Sequence, residues 1–408
     1  MTKKAQLINK PIIFILLLLV VIGSIWYLES QKAMPVSLAF DDSEEIADEG
    51  VLDEQVESDL VTEDLEGNLE KIKQEKELII FTPNPEKEGK YKRAPELVGT
   101  QKWVNSDPLK EKDLIGNVVL IDFWTYSCIN CIRTLPFLKE WHEKYSDKGL
   151  VIIGVHTPEF KFEEDYDNLV ESVKKRGLKY PIVQDNNYAT WRAFKNRFWP
   201  RKYLIDAEGY IRFDHIGEGA YKKTEMKIQE LLEERGIDVS NIDVSDLNEK
   251  VFAVARTPEL YAGYEFALPR DQNIGNLLGL VPNITKDYSL PENLKADKIY
   301  LEGKWKSNSE NLQAKDNEQS SIILMFTAMS VNIVADTLKE PLELEVKIGE
   351  KYITKEQAGK DVQFKDEKAF IVVDEPRLYN VVNGIYGMYK LKLATKSNDF
   401  TFNTFTFG

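Results

Sequence analysis

The sequence predicts three parts in series: one membrane-spanning helix, an α/β sandwich around a small mixed sheet, and an all-β sandwich of jelly-roll type. Three observations carry this. An uncharged apolar stretch of 18 residues runs from position 11 to 28. Between residues 91 and 236 strand-like and helix-like runs alternate. From about residue 298 the runs become β-rich, with period-two alternation and turns between them.

The first stretch, PIIFILLLLVVIGSIWYL, is long enough to cross a bilayer core as a helix. Lys3, Lys4 and Lys10 precede it and Glu29 follows, which puts the N-terminus in the cytoplasm. Trp26 and Tyr27 fall where an interfacial aromatic anchor sits. A cleaved signal peptide is the alternative. No A-x-A follows the apolar run, so residues 1–29 read as an uncleaved anchor. Both readings send the bulk of the chain outside the cytoplasm.

Residues 30–77 read as a linker. Positions 41–70 hold 14 acidic residues and no basic one, which leaves the rest of the chain at a net −1 out of a total of −15. Such a run repels itself and stays extended, a solvated tether. There is no basic stripe or phosphate loop, so nucleic acid is not an expected partner.

In the α/β part, residues 78–236, strands are expected at 118–123, 150–156, 202–206 and 210–217. Helices are expected at 131–145, 163–176, 188–194 and 222–234. The first strand runs straight into Cys128-Ile129-Asn130-Cys131, and these are the only two cysteines in 408 residues. The spacing places the second sulfur one helical turn behind the first, close enough to close a small disulfide ring. A structural bridge over so short a loop adds little stability, which favours a working dithiol.

The run Val119-Leu120-Ile121-Asp122-Phe123-Trp124 followed by C-x-x-C resembles the thioredoxin superfamily. The wider set from Phe123 to Pro136, with His156-Thr157-Pro158-Glu159-Phe160, Tyr188-Ala189-Thr190-Trp191-Arg192 and Trp199-Pro200, resembles its extracytoplasmic DipZ-like and TlpA-like branch. The resemblance covers residues 91–236 and extends through Thr257-Pro258-Glu259-Leu260-Tyr261. It implies a thioredoxin fold and a thiol–disulfide oxidoreductase, running as a reductase on protein disulfides. DipZ-like proteins carry their own multi-span electron-transfer domain. A single span here implies a separate membrane thiol reductant of CcdA type.

Catalytic candidates follow from the motif. Cys128 precedes a helix whose free N–H groups and dipole stabilise a thiolate, so it is the expected nucleophile. Cys131 then resolves the mixed disulfide. Asp122 matches the buried acid that accepts the Cys131 proton, its pKa raised by burial. Pro200 matches a cis-proline loop facing the C-x-x-C, a ledge for a substrate strand. Pro136 is expected to kink the active-site helix. Ile129 and Asn130 tune the potential, where 30 mV corresponds to ~1.4 kcal/mol. Trp124, Trp199 and Glu159 are candidates for meeting substrate. His156 is expected to pack, and His142 and His215 receive no role. No Cys/His cluster has metal-site spacing, and no cofactor is expected.

Residues 237–297 read as a connector, and residues 298–408 as the β-sandwich. In the resembled family this last part is similar to a carbohydrate-binding module, though fold alone carries no function. The alternating aromatics of FTFNTFTF are expected to bury one face. Two other functions compete. Thr125-x-x-Cys128 echoes a thiol peroxidase motif, but Ile121 stands where that pattern has proline. A cell-surface binding protein using the sandwich would have little reason to keep this isolated dithiol.

Overall fold

The computed structural model describes residues 85–247 and 257–408. The expected membrane helix and the acidic linker lie outside the described residues. Among those described, no helix is long and apolar enough to cross a membrane.

The first body is built on a seven-stranded sheet. Its strands are β1 (Lys92–Arg93), β2 (Trp103–Val104), β3 (Val118–Trp124), β4 (Leu150–His156), β5 (Ile182–Gln184), β6 (Arg201–Ile205) and β7 (Tyr210–Ile216), in the order β1-β7-β6-β3-β4-β5-β2. The central pairs β3–β4 and β4–β5 are parallel, whereas β6 and β7 run antiparallel. Strand β3 is buried at all seven positions because helices cover both its faces. Period two sorts its side chains. Val118, Leu120 and Trp124 face a core shared with Leu138, Trp141 and Leu231, and Val119, Ile121 and Phe123 face one shared with Trp191 and Tyr203.

The longer helices of this body among the described residues are α1 (Ile129–Tyr145), α2 (Tyr166–Arg176), α3 (Ala189–Ala193) and α4 (Tyr221–Glu234). Helix α1 buries Cys131, Thr134, Leu135, Leu138, Trp141 and Tyr145, one stripe at helical spacing. Asp165 caps α2 by accepting from the N–H groups of Asp167 and Asn168, and Gly177 ends it at φ 62°, where a side chain would be strained. The expected strands and helices are all present within a few residues. Three short strands, β1, β2 and β5, have no counterpart in the sequence pattern.

The second body is all β. Its strands are β8 (Leu260–Tyr261), β9 (Thr285–Tyr288), β10 (Ile299–Ser307), β11 (Leu312–Ala314), β12 (Ser320–Thr337), β13 (Leu342–Ile348), β14 (Lys351–Tyr352), β15 (Val362–Lys365), β16 (Lys368–Val373), β17 (Arg377–Thr395) and β18 (Phe400–Phe407). Strands β8 and β9 fall inside the stretch read as a connector. All eleven hydrogen-bond into one network, so the pairing does not divide into the two separate sheets of the expected sandwich. Strand β12 pairs with β10 through its first half and β18 through its second, with β17 along its other edge. Bulges between Ala328 and Ser330 and between Val331 and Asn332 let so long a strand bend around one core.

The aromatic alternation in β18 needs a correction. Seven of its eight residues are buried, the threonines and Asn403 included, so both faces are covered rather than one. A register shift opposite Val334 and Ala335 leaves Asn403 without a partner on β12. That extra residue changes the phase of the alternation. Phe402 and Phe405 therefore both reach the core, with ring centroids 4.7 Å apart.

The two bodies cluster as one unit. Phe160 of the first is buried in the core of the second, 5.5 Å from the Phe266 ring and 6.4 Å from that of Tyr261.

Candidate active site

Cys128 is the N-cap of α1, with φ −78° and ψ 118°. Its sulfur accepts the Cys131 N–H at 3.3 Å, and its carbonyl accepts the Ile132 N–H at 3.0 Å. A helix start leaves N–H groups without backbone partners, and here one of them points at sulfur. Both cysteines are free thiols, Cys128 half-buried and Cys131 only 1% exposed. Burial first, then the hydrogen bond and charge of Cys128, push the Cys131 thiol well above its ordinary 9.0.

The loop before Cys128 is pinned by a residue that sequence reasoning passed over. Glu163 is fully buried, and its carboxylate accepts from the Ser127 N–H (3.2 Å), the Ser127 hydroxyl (2.6 Å), the Glu159 N–H (2.6 Å) and the Phe160 N–H (3.0 Å). Arg176 adds a bond from Nη2 to the Tyr126 carbonyl at 2.9 Å. His156 is buried, stacks on Tyr126 at 5.5 Å and lies 3.3 Å from the Thr125 hydroxyl. Burial lowers its pKa to about 3, so it is a neutral packing group.

Beneath the cysteines sits a buried acid. Asp122 follows the period-two pattern of β3 onto the same face as Leu120 and Trp124, the face α1 covers. It is 1% exposed, and its Oδ1 has no hydrogen-bond partner among the described residues. Burial raises its carboxyl to about 7, against the pull of Lys202. Lys202 is its cross-strand partner on β6 and is equally buried. Its ammonium donates to the Gly217 carbonyl at 3.3 Å and lies 5.3 Å from the Tyr221 ring centre. Burial lowers the lysine's pKa while Asp122 opposes, so both members move toward neutrality. A lysine in the apolar run RKYLI was the available signal, but only strand pairing puts it opposite Asp122.

The remaining candidates fall into two groups. The Trp199–Pro200 bond is cis. Trp199 is half-buried, donates from Nε1 to the Thr157 carbonyl at 3.0 Å and packs 4.4 Å from Trp191. Trp199, Glu159 and Cys128 line one cavity of about 400 Å³. Trp124 does not reach it. Expected to meet substrate, it is fully buried, edge-on to His156 at 5.4 Å, because its strand parity points it into the helix-covered core. Glu159 accepts the Tyr261 hydroxyl at 2.6 Å, and burial, then the charge of Glu259, raise its carboxyl to about 8. No cluster of metal-ligating side chains occurs among the described residues.

Comparison with known proteins places these features in a family context. Residues 116–211 match a family model described as thioredoxin-like, and residues 257–408 match one described as thioredoxin like C-terminal domain. The chain is 38% identical to Protein DipZ of Mycobacterium bovis over 246 residues, which is 59% of this chain and 34% of that protein. It therefore spans about a third of the length of that relative. It is 30% identical to thiol-disulfide oxidoreductase YkuV of Bacillus subtilis over 140 residues, 34% of this chain and 94% of that protein. Thiol-disulfide oxidoreductase ResA of Bacillus cereus is 28% identical over 151 residues, 37% of this chain and 83% of that protein.

Proposed function

The chain belongs to the thioredoxin superfamily of redoxins, and on that premise we propose that it exchanges disulfides with client proteins through Cys128 and Cys131. One observation carries the reading. A half-exposed cysteine at a helix N-cap opens on a cavity, while its buried partner sits over an acid held near neutrality.

The Cys128 thiolate attacks the nearer sulfur of a client disulfide. A Cys128–client bond forms, and the client's second sulfur leaves with the electron pair. Cys131 must then lose its proton inside the protein, and Asp122 takes it. The Cys131 thiolate attacks the Cys128 sulfur, closing the Cys128–Cys131 disulfide and releasing the client as a dithiol. Lys202 keeps the aspartate available as a base, because without its charge burial would hold Asp122 protonated to still higher pH. Trp199 and Glu159 form the client-facing rim, and the cis bond joins Trp199 to the buried Pro200.

The direction we propose is reduction, on the extracytoplasmic side of a membrane, with the chain anchored through residues 11–28. A membrane thiol reductant of CcdA type would return the pair to the dithiol. The test is a trap. Full-length chain carrying Cys131→Ser, expressed in its own membrane, should hold clients as mixed disulfides on Cys128 that dissolve in dithiothreitol. No trapped client, together with fast peroxide consumption by the unaltered chain, would overturn the reading.

A further inference from the structure

Tyr261 belongs to the second body, yet its hydroxyl reaches a carboxylate of the first, donating to Glu159 Oε1 at 2.6 Å. Strand β8 fixes it through the pairs Thr404↔Tyr261 and Phe405↔Leu260. Its ring stacks on Phe266 at 5.5 Å and carries the Arg270 guanidinium at 4.5 Å. Glu259, two residues earlier, lines the same cavity as Glu159, and burial raises its carboxyl. Glu159, Glu259 and Tyr261 all line the cavity on which Cys128 opens, so the second body builds one of its walls.

A phenol has a single proton to give. With that proton donated to Glu159 Oε1, the second oxygen of the Glu159 carboxyl is left to carry a proton of its own. Glu259 lines the same cavity, and two anionic carboxylates sharing it repel, so the group favours holding one carboxyl proton on Glu159. Resting on the exchange reaction proposed above, we infer that the C-terminal body completes the active site: the Glu159–Tyr261–Glu259 trio keeps an acidic proton at the cavity, and Glu159 passes it to the client sulfur that Cys128 displaces. As the Cys128–client bond forms and the client's disulfide breaks, the electron pair goes to the departing sulfur. The proton of the Glu159 carboxyl joins it there, leaving a carboxylate that the trio reprotonates from solvent.

The surroundings favour this state. Glu259 and Glu163 repel a second negative charge on Glu159, while Arg270 and the Tyr261 donor oppose them. Tyr188 packs nearby, its own pKa raised by burial and by Glu159, and Arg197 lines the same cavity. Burial is the largest cause, and the result is a carboxyl that keeps its proton at neutral pH and loses it above about 8.

The experiment compares kcat/KM of the reduced full-length chain with that of Glu159→Gln, using a fluorogenic disulfide peptide from pH 6 to pH 10. The expected ratio is about tenfold at neutral pH, at the low end for a positioned acid because a thiolate is already a fair leaving group. It should fall toward one as pH passes about 8. Tyr261→Phe, which keeps the stacked ring, should move the midpoint of that fall to higher pH by removing a donor to the carboxylate. Glu259→Gln should move it lower by removing the repulsion. A ratio within twofold of one, or independent of pH, overturns the inference and leaves the exchange reaction standing. An unaltered chain whose two thiols titrate but never exchange with the peptide sinks both.

Discussion

Replacing Asp122 with asparagine removes the proton acceptor at nearly constant side-chain size and leaves the buried Lys202 ammonium without its carboxylate. The Cys131 thiol ordinarily titrates at 9.0 and is pushed higher here by burial. At pH 7, two units below even the ordinary value, fewer than about one molecule in 100 would carry the Cys131 thiolate unaided. Asp122, near 7, accepts the proton at little cost. Asp122→Asn should therefore slow resolution of the mixed disulfide by about 100-fold or more at pH 7, while the first attack by Cys128 keeps its rate. In the variant the resolution rate should climb about tenfold per pH unit, because hydroxide replaces the lost base. Stopped-flow release of thionitrobenzoate from a preformed Cys128–thionitrobenzoate adduct isolates this step. Resolution within threefold of the unaltered chain at pH 7, or a flat pH dependence in the variant, would refute the role given to Asp122.

Three further outcomes are expected. The folded-state carboxyl of Asp122 lies above its ordinary 3.8, so the unfolded chain ionises first and native stability falls as pH rises from about 4 to about 7. The rise from 3.8 to about 7, at ~1.4 kcal/mol per pH unit, corresponds to about 4 kcal/mol. Urea unfolding should show Asp122→Asn gaining on the unaltered chain by roughly that amount across the window, and parallel curves would count against the buried, near-neutral acid. Glu163→Gln turns two acceptor oxygens into one acceptor and one donor, stranding buried N–H groups around Ser127 and Phe160. It should cost about 3 kcal/mol in denaturant unfolding, and a loss under ~0.5 kcal/mol would contradict the pinning role. Phe160→Ala should cost about 3–5 kcal/mol and split one calorimetric transition into two, since Phe160 plugs the first body into the core of the second. A single transition at the original temperature would show that the bodies do not depend on that ring.

The central strand and its helices were legible because β3 is covered on both faces, which turns it into an unbroken apolar run that ends at the cysteines. Strand β5 was not, since three residues after a proline carry no periodicity. Asp122 stood out as the single charge in an apolar strand. Lys202 lies 80 positions away and becomes its partner only through antiparallel pairing. Tyr261 is separated from Glu159 by 102 positions, so nothing local could have joined them. Trp124 was within reach: the same parity that turns Asp122 inward also buries the tryptophan. In β18 the adjacent polar pair Asn403-Thr404 marks the bulge where the Phe/Thr alternation skips a step, and what the alternation could not show is that the threonine face is covered as well.

The most direct measurement incubates the reduced full-length chain with insulin and counts disulfides on both sides by mass spectrometry after rapid alkylation. For every insulin disulfide lost, one Cys128–Cys131 disulfide should appear, with no cysteine oxygenated. Insulin disulfides that stay intact while both cysteines remain alkylatable, or a Cys128 that ends as a sulfinic acid, would contradict thiol–disulfide exchange at this site.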